Sequence, residues 1–375
     1  MHQGGYLATT FQGLEDILAH ELQQLGATRI KKRKRAVLFD ASDEVFYKVN
    51  YLSRVAIRIL KPLFEFRART YDEFYKRLKN TDWARYFHYD QTFAVSAVVK
   101  SRLFKNSQFT ALKTKDAIVD AFRDRFSKRP FVQTYQPDIR IHIFINRERV
   151  RVLLDASGES LHKRGYRQDH HFPAPLSECL AAGMLLLAGW EGQSDFVDPM
   201  CGSGTLLVEA GMIARHIPAQ RYRSYFSFHH WPGFDAKLWK KIKTEAKATE
   251  RNFTHTITGY DINPAAVRAA QANLRGAGLK AYTPVQVADL RKLPVHTPPG
   301  LLVTNPPYGD KIKADDIFDL YRQIGDTLKH QFNGWEAWIF SANKEALKHI
   351  GLKTARRIPL YNGPKEARLC KYEIW

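Results

Sequence analysis

The chain has 375 residues, 44% of them hydrophobic, and a formal net charge of +20 at pH 7. That length holds two or three domains with real cores, and the charge points to a polyanionic partner. Three scattered cysteines, Cys179, Cys201 and Cys370, give neither a disulfide framework nor a zinc pattern. No apolar run resembles a signal peptide or a span of about 20 residues, so no membrane contact and a reducing cytosol are expected.

The charge is uneven. Residues 1–157 hold 29 Lys+Arg against 17 Asp+Glu, while residues 158–375 hold 29 against 21. The N-terminal part is therefore the better candidate for holding nucleic acid. Tyr6–Thr9 reads as a strand. Leu14, Ile17, Leu18, Leu22 and Leu25 fall on one helical face, closed by Gly26. The basic run Lys31, Lys32, Arg33, Lys34, Arg35 precedes a strand over Ala36–Asp40, and is a candidate phosphate contact at a sheet edge. A helix through Val45, Phe46, Val49 and Leu52 leads to a strand over Ile57–Phe66.

A second α/β unit follows. Tyr71, Phe74, Tyr75 and Leu78 mark a short helix. Phe93–Val99 is a strand, and Lys100, Arg102 and Lys105 stand at its end, placed to meet a nucleic-acid backbone. Phe109, Leu112, Val119, Phe122 and Phe126 mark a longer helix. Ile139, Ile141, Ile143 and Ile145 alternate strictly, so that strand buries one face. A turn at Arg147 and Glu148 leads to its hairpin partner, Val150–Asp155. Residues 158–173 read as a linker, in which Lys163, Arg164 and Arg167 surround Tyr166 as a phosphate-and-stacking contact. His170 and His171 lack acidic or cysteine companions at metal spacing, so no metal is expected. Pro175–Gly189 reads as an apolar helix.

Asp195–Asp198 is a short strand with an apolar middle. It turns through Gly202 and Gly204 into a helix carrying Leu206, Leu207, Val208 and Ala210. The glycines are read as letting the backbone approach a ligand. Leu207 stands where the third glycine of the dinucleotide fingerprint belongs, and Asp198 repels a pyrophosphate. A ligand with a ribose and a cationic tail fits better, and S-adenosylmethionine is one. An insertion over residues 217–256 carries Tyr222, Tyr225, Phe226, Phe228, Trp231, Phe234 and Trp239. It reads mostly as local core, with part of it a candidate RNA face. Ile257–Asp261 is a strand whose terminal Asp261 suits a pair of ribose hydroxyls. Val285–Val287 is another, with Asp289 placed to accept from an adenine amine. Asn263 and Pro264 open a helix.

Gly300–Thr304 is an apolar strand ending in Asn305, Pro306, Pro307 and Tyr308. The prolines remove two backbone donors, so the turn presents carbonyls only. Asn305 adds a side-chain carbonyl and Tyr308 a flat face, a set that suits a conjugated exocyclic amine. A helix over Asp315–Phe332, a strand over Glu336–Phe340 and a hairpin turning at Asn362-Gly363 close a seven-stranded sheet. No second catalytic domain is expected behind that hairpin.

Asp198-Pro-Met-Cys-Gly-Ser-Gly-Thr205 with Asn305-Pro-Pro-Tyr308 resembles the class I methyltransferases that modify exocyclic amines. Leu161-His-Lys-Arg-Gly-Tyr-Arg167 and Ala174-Pro-Leu-Ser-Glu178 narrow the resemblance to the THUMP-domain RNA guanine-N2 methyltransferases, of the RlmL type acting on 23S ribosomal RNA. The likeness covers nearly the whole chain. It implies an α/β protein with a ferredoxin-like segment (residues 1–60), a THUMP RNA-binding domain (61–157), the linker, and a Rossmann-like methyltransferase domain (174–375). It implies S-adenosylmethionine contacts from Pro175, Asp198, Pro199, Cys201, Gly202, Ser203, Gly204, Thr205, Asp261, Ile262, Asp289 and Asn305. Asn305, Pro306, Pro307 and Tyr308 would form the catalytic turn. Rival readings are a tRNA guanine-N2 enzyme, an adenine-N6 DNA methyltransferase and a non-catalytic RNA-binding assembly factor.

Overall fold

The computed structural model describes residues 4–168, 175–309 and 314–375. His170, His171 and Ala174 lie outside them. Among the described residues two sheets form. The first is built from β1 (Gly4–Thr9), α1 (Glu15–Gln24), β2 (Thr28–Arg33), β3 (Ala36–Ala41), α2 (Asp43–Leu52), β4 (Arg58–Arg67), α3 (Tyr71–Lys79), β5 (Thr92–Lys100), α4 (Ser107–Phe126), β6 (Phe131–Val132), β7 (Ile139–Asn146) and β8 (Arg149–Asp155). Ser42, Thr70 and Asn106 start α2, α3 and α4 by accepting from backbone N–H groups of the first turn, which satisfies donors the helix cannot. The four alternating isoleucines of β7 are all fully buried, as their spacing predicts.

The strand order is β2-β3-β1-β4-β8-β7-β5-β6. β4 pairs antiparallel with β1 on one side and β8 on the other. The ferredoxin-like segment and the THUMP unit therefore share one continuous sheet through β4. Lys31, Lys32 and Arg33 do not merely precede a strand: they form the end of β2, the edge strand, and all five residues of the basic run are exposed.

The second sheet contains β9 (Asp195–Asp198), β10 (Ile257–Asp261), β11 (Val285–Val287), β12 (Gly300–Thr304), β13 (Glu336–Ser341), β14 (Thr354–Asn362) and β15 (Lys365–Glu373). Its order is β11-β10-β9-β12-β13-β15-β14, with β15 alone running antiparallel to the rest. This is the class I methyltransferase arrangement that the motifs imply. The order reverses between β9 and β12, and α/β sheets bind ligands beyond the strand ends at such a point. The helices are α5 (Glu178–Leu187), α6 (Thr205–Ala214), α7 (Ala236–Ala248), α8 (Pro264–Gly276) and α9 (Ala314–Gln331). α5 starts three residues later than the apolar pattern predicts. The final hairpin turns at Gly363-Pro364, one residue beyond the expected pair, because Asn362 already pairs with Lys365.

The aromatic insertion is in part the local core expected of it, since Phe226, Phe228, Phe234 and Trp239 pack on one another. It also reaches beyond itself. Phe228, Trp231 and Phe234 pack on Phe46 and Tyr47 of α2, and Trp239 meets Tyr51 edge-on. The insertion is a clasp between the two sheets. A second link is ionic. Arg164 and Glu209, both with fully buried side chains, pair at 3.4 Å. Arg164 also donates to the carbonyls of Leu161 and Arg54, and Tyr166 donates to Glu209 at 3.4 Å. Arg164 and Tyr166 are thus withdrawn from the RNA contacts expected of them, since neither reaches solvent.

Removing one partner of a buried pair strands the other charge, which costs about 3–5 kcal/mol. Arg164→Met is expected to destabilise the chain by that order in urea denaturation. The double variant Arg164→Met/Glu209→Met should recover much of the loss. A single variant as stable as wild type would refute the role.

Candidate active site

β9 brings Asp198 to the centre of the second sheet, almost wholly buried. One carboxylate oxygen accepts from the Thr304 hydroxyl at 2.8 Å and from the Met200 N–H at 3.2 Å. The other has no hydrogen-bond partner among the described residues. Burial pushes the Asp198 carboxyl up to about 7, and nearby Asp261 adds to the rise. Thr304 ends β12, so this bond ties the tips of the two central strands. The sequence reading missed Thr304, whose apolar strand context marks it only as core.

The turn after β9 is held from β10. Asp261 accepts from Gly202 N–H at 2.9 Å and from Asn263 N–H at 2.9 Å. It therefore braces the glycine turn in addition to any ligand role. Gly204 has φ +76°, and a Cβ there would lie 2.9 Å from the Ala270 Cβ of α8. Its missing side chain serves helix packing, which corrects the reading that both glycines clear room for a ligand. Gly202, with φ +51°, stays at the cavity wall.

Pro175, Asp198, Cys201, Gly202, Ser203, Thr205 and Asn305 line one cavity of about 90 Å³. The structure brings these seven sequence-predicted residues together. Leu176, Met200 and Leu206 complete the lining; as ordinary apolar residues they carried no signal. Pro199, Gly204, Asp261, Ile262 and Asp289 are not in that lining. Ile262 is 67% exposed beside Asp261. Asp289 caps the short turn after β11 and pairs with Arg291, which holds its carboxyl down at about 2.

Arg167 departs from its expected role. It bonds Glu178 at 2.6 Å, Thr205 Oγ1 at 3.1 Å, the Leu176 carbonyl at 3.2 Å and Ser203 Oγ at 3.5 Å. Its planar fork stitches the linker to both walls of the cavity instead of waiting for phosphate.

The Asn305–Tyr308 turn is braced from behind. The Tyr308 hydroxyl donates to Asn305 Oδ1 at 2.5 Å. Asn343 donates to the Tyr308 carbonyl at 3.0 Å, and Tyr321 to the Pro307 carbonyl at 3.2 Å. The Pro306 carbonyl has no partner among the described residues. Asn343 and Tyr321 were not anticipated, because a polar residue on a later element carries no mark of its partner.

Lys100 and Arg102 line a concavity with Arg147 at the end of β5. Lys105 is exposed just beyond it. The basic run on β2 lies six strands away, roughly 29 Å at about 4.8 Å per strand, so the two cannot form one patch. Lys163 is exposed and pairs with Glu159 at 3.3 Å. Among the described residues no group of three His, Cys, Asp or Glu could hold a metal, and no helix is long and apolar enough to cross a membrane.

A carboxyl whose folded pKa is raised costs stability as pH climbs from its unfolded value near 3.9 to its folded value. For Asp198 that window is about 4 to 7. Asp198→Asn keeps an oxygen for both bonds and removes the buried charge. It should stabilise the ligand-free chain by at most about 4 kcal/mol above pH 7. The gain should shrink as pH falls towards 4. A gain independent of pH in thermal melts would contradict the assignment.

Three comparisons bear on this geometry. Family models match residues 6–60 as an RlmL ferredoxin-like domain, 68–155 as a THUMP domain, and 164–371 as an RMKL-like methyltransferase domain. A Synechocystis sp. protein named as a candidate RNA methyltransferase is 38% identical over 99% of this chain and 97% of its own length. A ribosomal RNA large subunit methyltransferase K/L of Syntrophotalea carbinolica is 38% identical over 98% of this chain; the chain spans 53% of that relative's length. Among solved structures, SMU.472, a candidate methyltransferase complexed with SAH, superposes with a TM-score of 0.89 at 29% identity, covering 100% of this chain and 99% of its own. A buried Asp198 beside a glycine turn, Asn305 lining the same cavity, and these matches converge: the chain belongs to the RMKL-like methyltransferase family, with RlmL ferredoxin-like and THUMP domains ahead of the methyltransferase domain.

Proposed function

We propose that this chain is an S-adenosylmethionine-dependent methyltransferase acting on the exocyclic N2 of a guanine in 23S ribosomal RNA. The observation that carries the reading is that Asn305, the head of the carbonyl-only turn, lines the same cavity as Asp198 and the glycine turn. Relatives named as large-subunit ribosomal RNA methyltransferases support the substrate. The three cysteines are free and buried, which fits a cytoplasmic enzyme.

The residues present suit the cofactor. Asp198 is a buried carboxylate with one oxygen uncommitted, and a cationic ligand beside it offsets its burial. Asp261 keeps lone pairs for ribose hydroxyls after holding Gly202 and Asn263, and Asp289 keeps one or more for an amine. S-adenosylmethionine, when bound, supplies a methyl group on a cationic sulfur. Everything else falls to the chain. Asn305 Oδ1 has a lone pair beyond the one Tyr308 uses, and the Pro306 carbonyl has no partner among the described residues. Together they accept the two hydrogens of the guanine amine and aim its nitrogen. Tyr308, set edge-on to Phe340, offers the base a face to stack on. Such a base must be splayed from its RNA strand to enter. The proton leaves after transfer, so catalysis is chiefly positioning.

Asn305→Ala is expected to lower single-turnover methylation at saturating cofactor and RNA by about a hundredfold or more. RNA affinity should stay close to wild type, because it comes from dispersed basic residues. Near-normal turnover would remove Asn305 from the catalytic role.

The surface residues and the buried arginines separate in a second measurement. Lys100→Ala/Arg102→Ala should flatten the log–log salt dependence of RNA binding by about one unit for each phosphate no longer neutralised. Arg164→Met, folded at low temperature, should leave that slope unchanged. Equal slopes for wild type and the Lys100/Arg102 variant would move the RNA elsewhere.

A further inference from the structure

A second, larger groove of about 860 Å³ adjoins the cofactor cavity, sharing Pro175 and Leu176 with it. It runs between the linker, the insertion, the turn of the last hairpin at Asn362 and Gly363, and the loop after β6 that carries Tyr135. Its size falls in the ~300–1,000 Å³ range of sites for small organic ligands. Neither cofactor binding nor the catalytic turn uses it.

Its floor is rigid. The Arg223 guanidinium donates to five carbonyls, those of Ser157, Glu159, Ser160, Lys163 and Tyr225. One side chain thereby pins the linker to the insertion. Gly165 has φ +94°, and a Cβ on it would lie 2.3 Å from the Tyr222 carbonyl, so the two segments touch backbone to backbone. The hydrogen bonds of Arg223 go to neutral carbonyls and none to a carboxylate. Among the described residues its positive charge therefore has no carboxylate in contact at the floor. Around the groove Lys163 pairs with Glu159 and Arg167 with Glu178, while Arg164 is spent on buried Glu209, so Arg223 carries the positive balance.

Tyr135 supplies the other half of a nucleic-acid site. Its side chain belongs to a residue 68% exposed, yet the loop beneath is tied down. Gln133 donates to the carbonyls of Tyr135 and Gln136 at 2.7 and 3.2 Å, and Arg140 donates to that of Thr134 at 3.0 Å. An aromatic ring held out on an ordered loop loses little entropy when a base stacks on it. A positive floor with such a ring at its edge suits an unpaired polyanion with flat bases. A duplex would show phosphates and no free base face.

We infer that this groove receives the unpaired RNA strand next to the target guanine, with a neighbouring base stacked on Tyr135. The inference rests on the methyltransferase reading for the word target, and it names the segment that guides the strand to the cavity. Base choice beside the guanine would then be read between Tyr135 and the hairpin turn.

The test uses the full chain, deproteinised large-subunit ribosomal RNA and an unstructured guanine-containing oligonucleotide, titrated by filter binding. Tyr135→Ala should weaken both by about tenfold, and Tyr135→Trp should restore most of the loss. S-adenosylmethionine affinity, measured by calorimetry, should match wild type in both and confirm an intact fold. Wild-type RNA affinity in Tyr135→Ala would overturn the proposal. So would a polyglutamate peptide that displaces RNA from wild type but binds Tyr135→Ala poorly, since that assigns the groove to an acidic protein tail. The titration needs no methyl transfer. A wild-type chain that binds RNA and transfers nothing would sink the methyltransferase reading while the titration still decides the groove.

Discussion

The buried pair of Arg164 and Glu209 is the constraint on which the site depends. Glu209 sits on α6, and α6 begins at the glycine turn that walls the cofactor cavity. Taking two charges out of water is expensive unless their remaining donors and acceptors are satisfied. Here the linker carbonyl of Leu161, the Arg54 carbonyl and the Tyr166 hydroxyl join the pair. Arg54 comes from the stretch between α2 and β4, and it also donates to the Met212 carbonyl of α6 and the Ile217 carbonyl three residues beyond its end. The first sheet, the linker and α6 thus meet at one polar knot. The aromatic clasp of the insertion, where Phe228 and Trp239 meet Tyr47 and Tyr51, closes the same interface a little further along.

That arrangement gives the enzyme a fixed distance between holding RNA and methylating it. Arg167 stands three residues beyond Arg164, and its bonds to Glu178, Ser203 and Thr205 carry the brace from the knot to the cavity wall. Positioning catalysis tolerates little slack at the reacting atoms. On the proposed reading, an RNA backbone gripped near Lys100 would present a guanine to Asn305 only if the two sheets keep their relation. The basic edge strand β2, far across the first sheet, would meet a different part of a large RNA from the concavity at β5.

The parts of the site legible in the sequence are those whose residue types have a narrow structural use. Three strand tips end on Asp198, Asp261 and just before Asp289. Gly202 and Gly204 take positive φ between a strand and a helix, and Pro306-Pro307 strips donors from one turn. Each can be placed from local pattern, and the strand order of the second sheet follows the family they resemble. The arginines of the linker are different. A run such as Lys163-Arg164-Gly-Tyr166-Arg167 looks the same whether it faces phosphate or a buried glutamate, because a charge carries no local sign of its partner. The reading sent all three cations outward, and only Lys163 is exposed. The aromatic insertion was legible only in part for the same reason: Phe228 and Trp231 are plainly core, but no spacing reveals that this core extends to α2. Gly204 was placed correctly for the wrong cause, since the close neighbour that forbids a Cβ is Ala270.

The most direct measurement is mass-spectrometric mapping of ribosomal RNA after incubation with the full chain and isotopically labelled S-adenosylmethionine. Nuclease digestion would locate the label by fragment and by nucleoside. N2-methylguanosine at a defined position of the large-subunit RNA is the predicted result. Label on an adenine N6, label confined to transfer RNA, or no transfer to any RNA would contradict it.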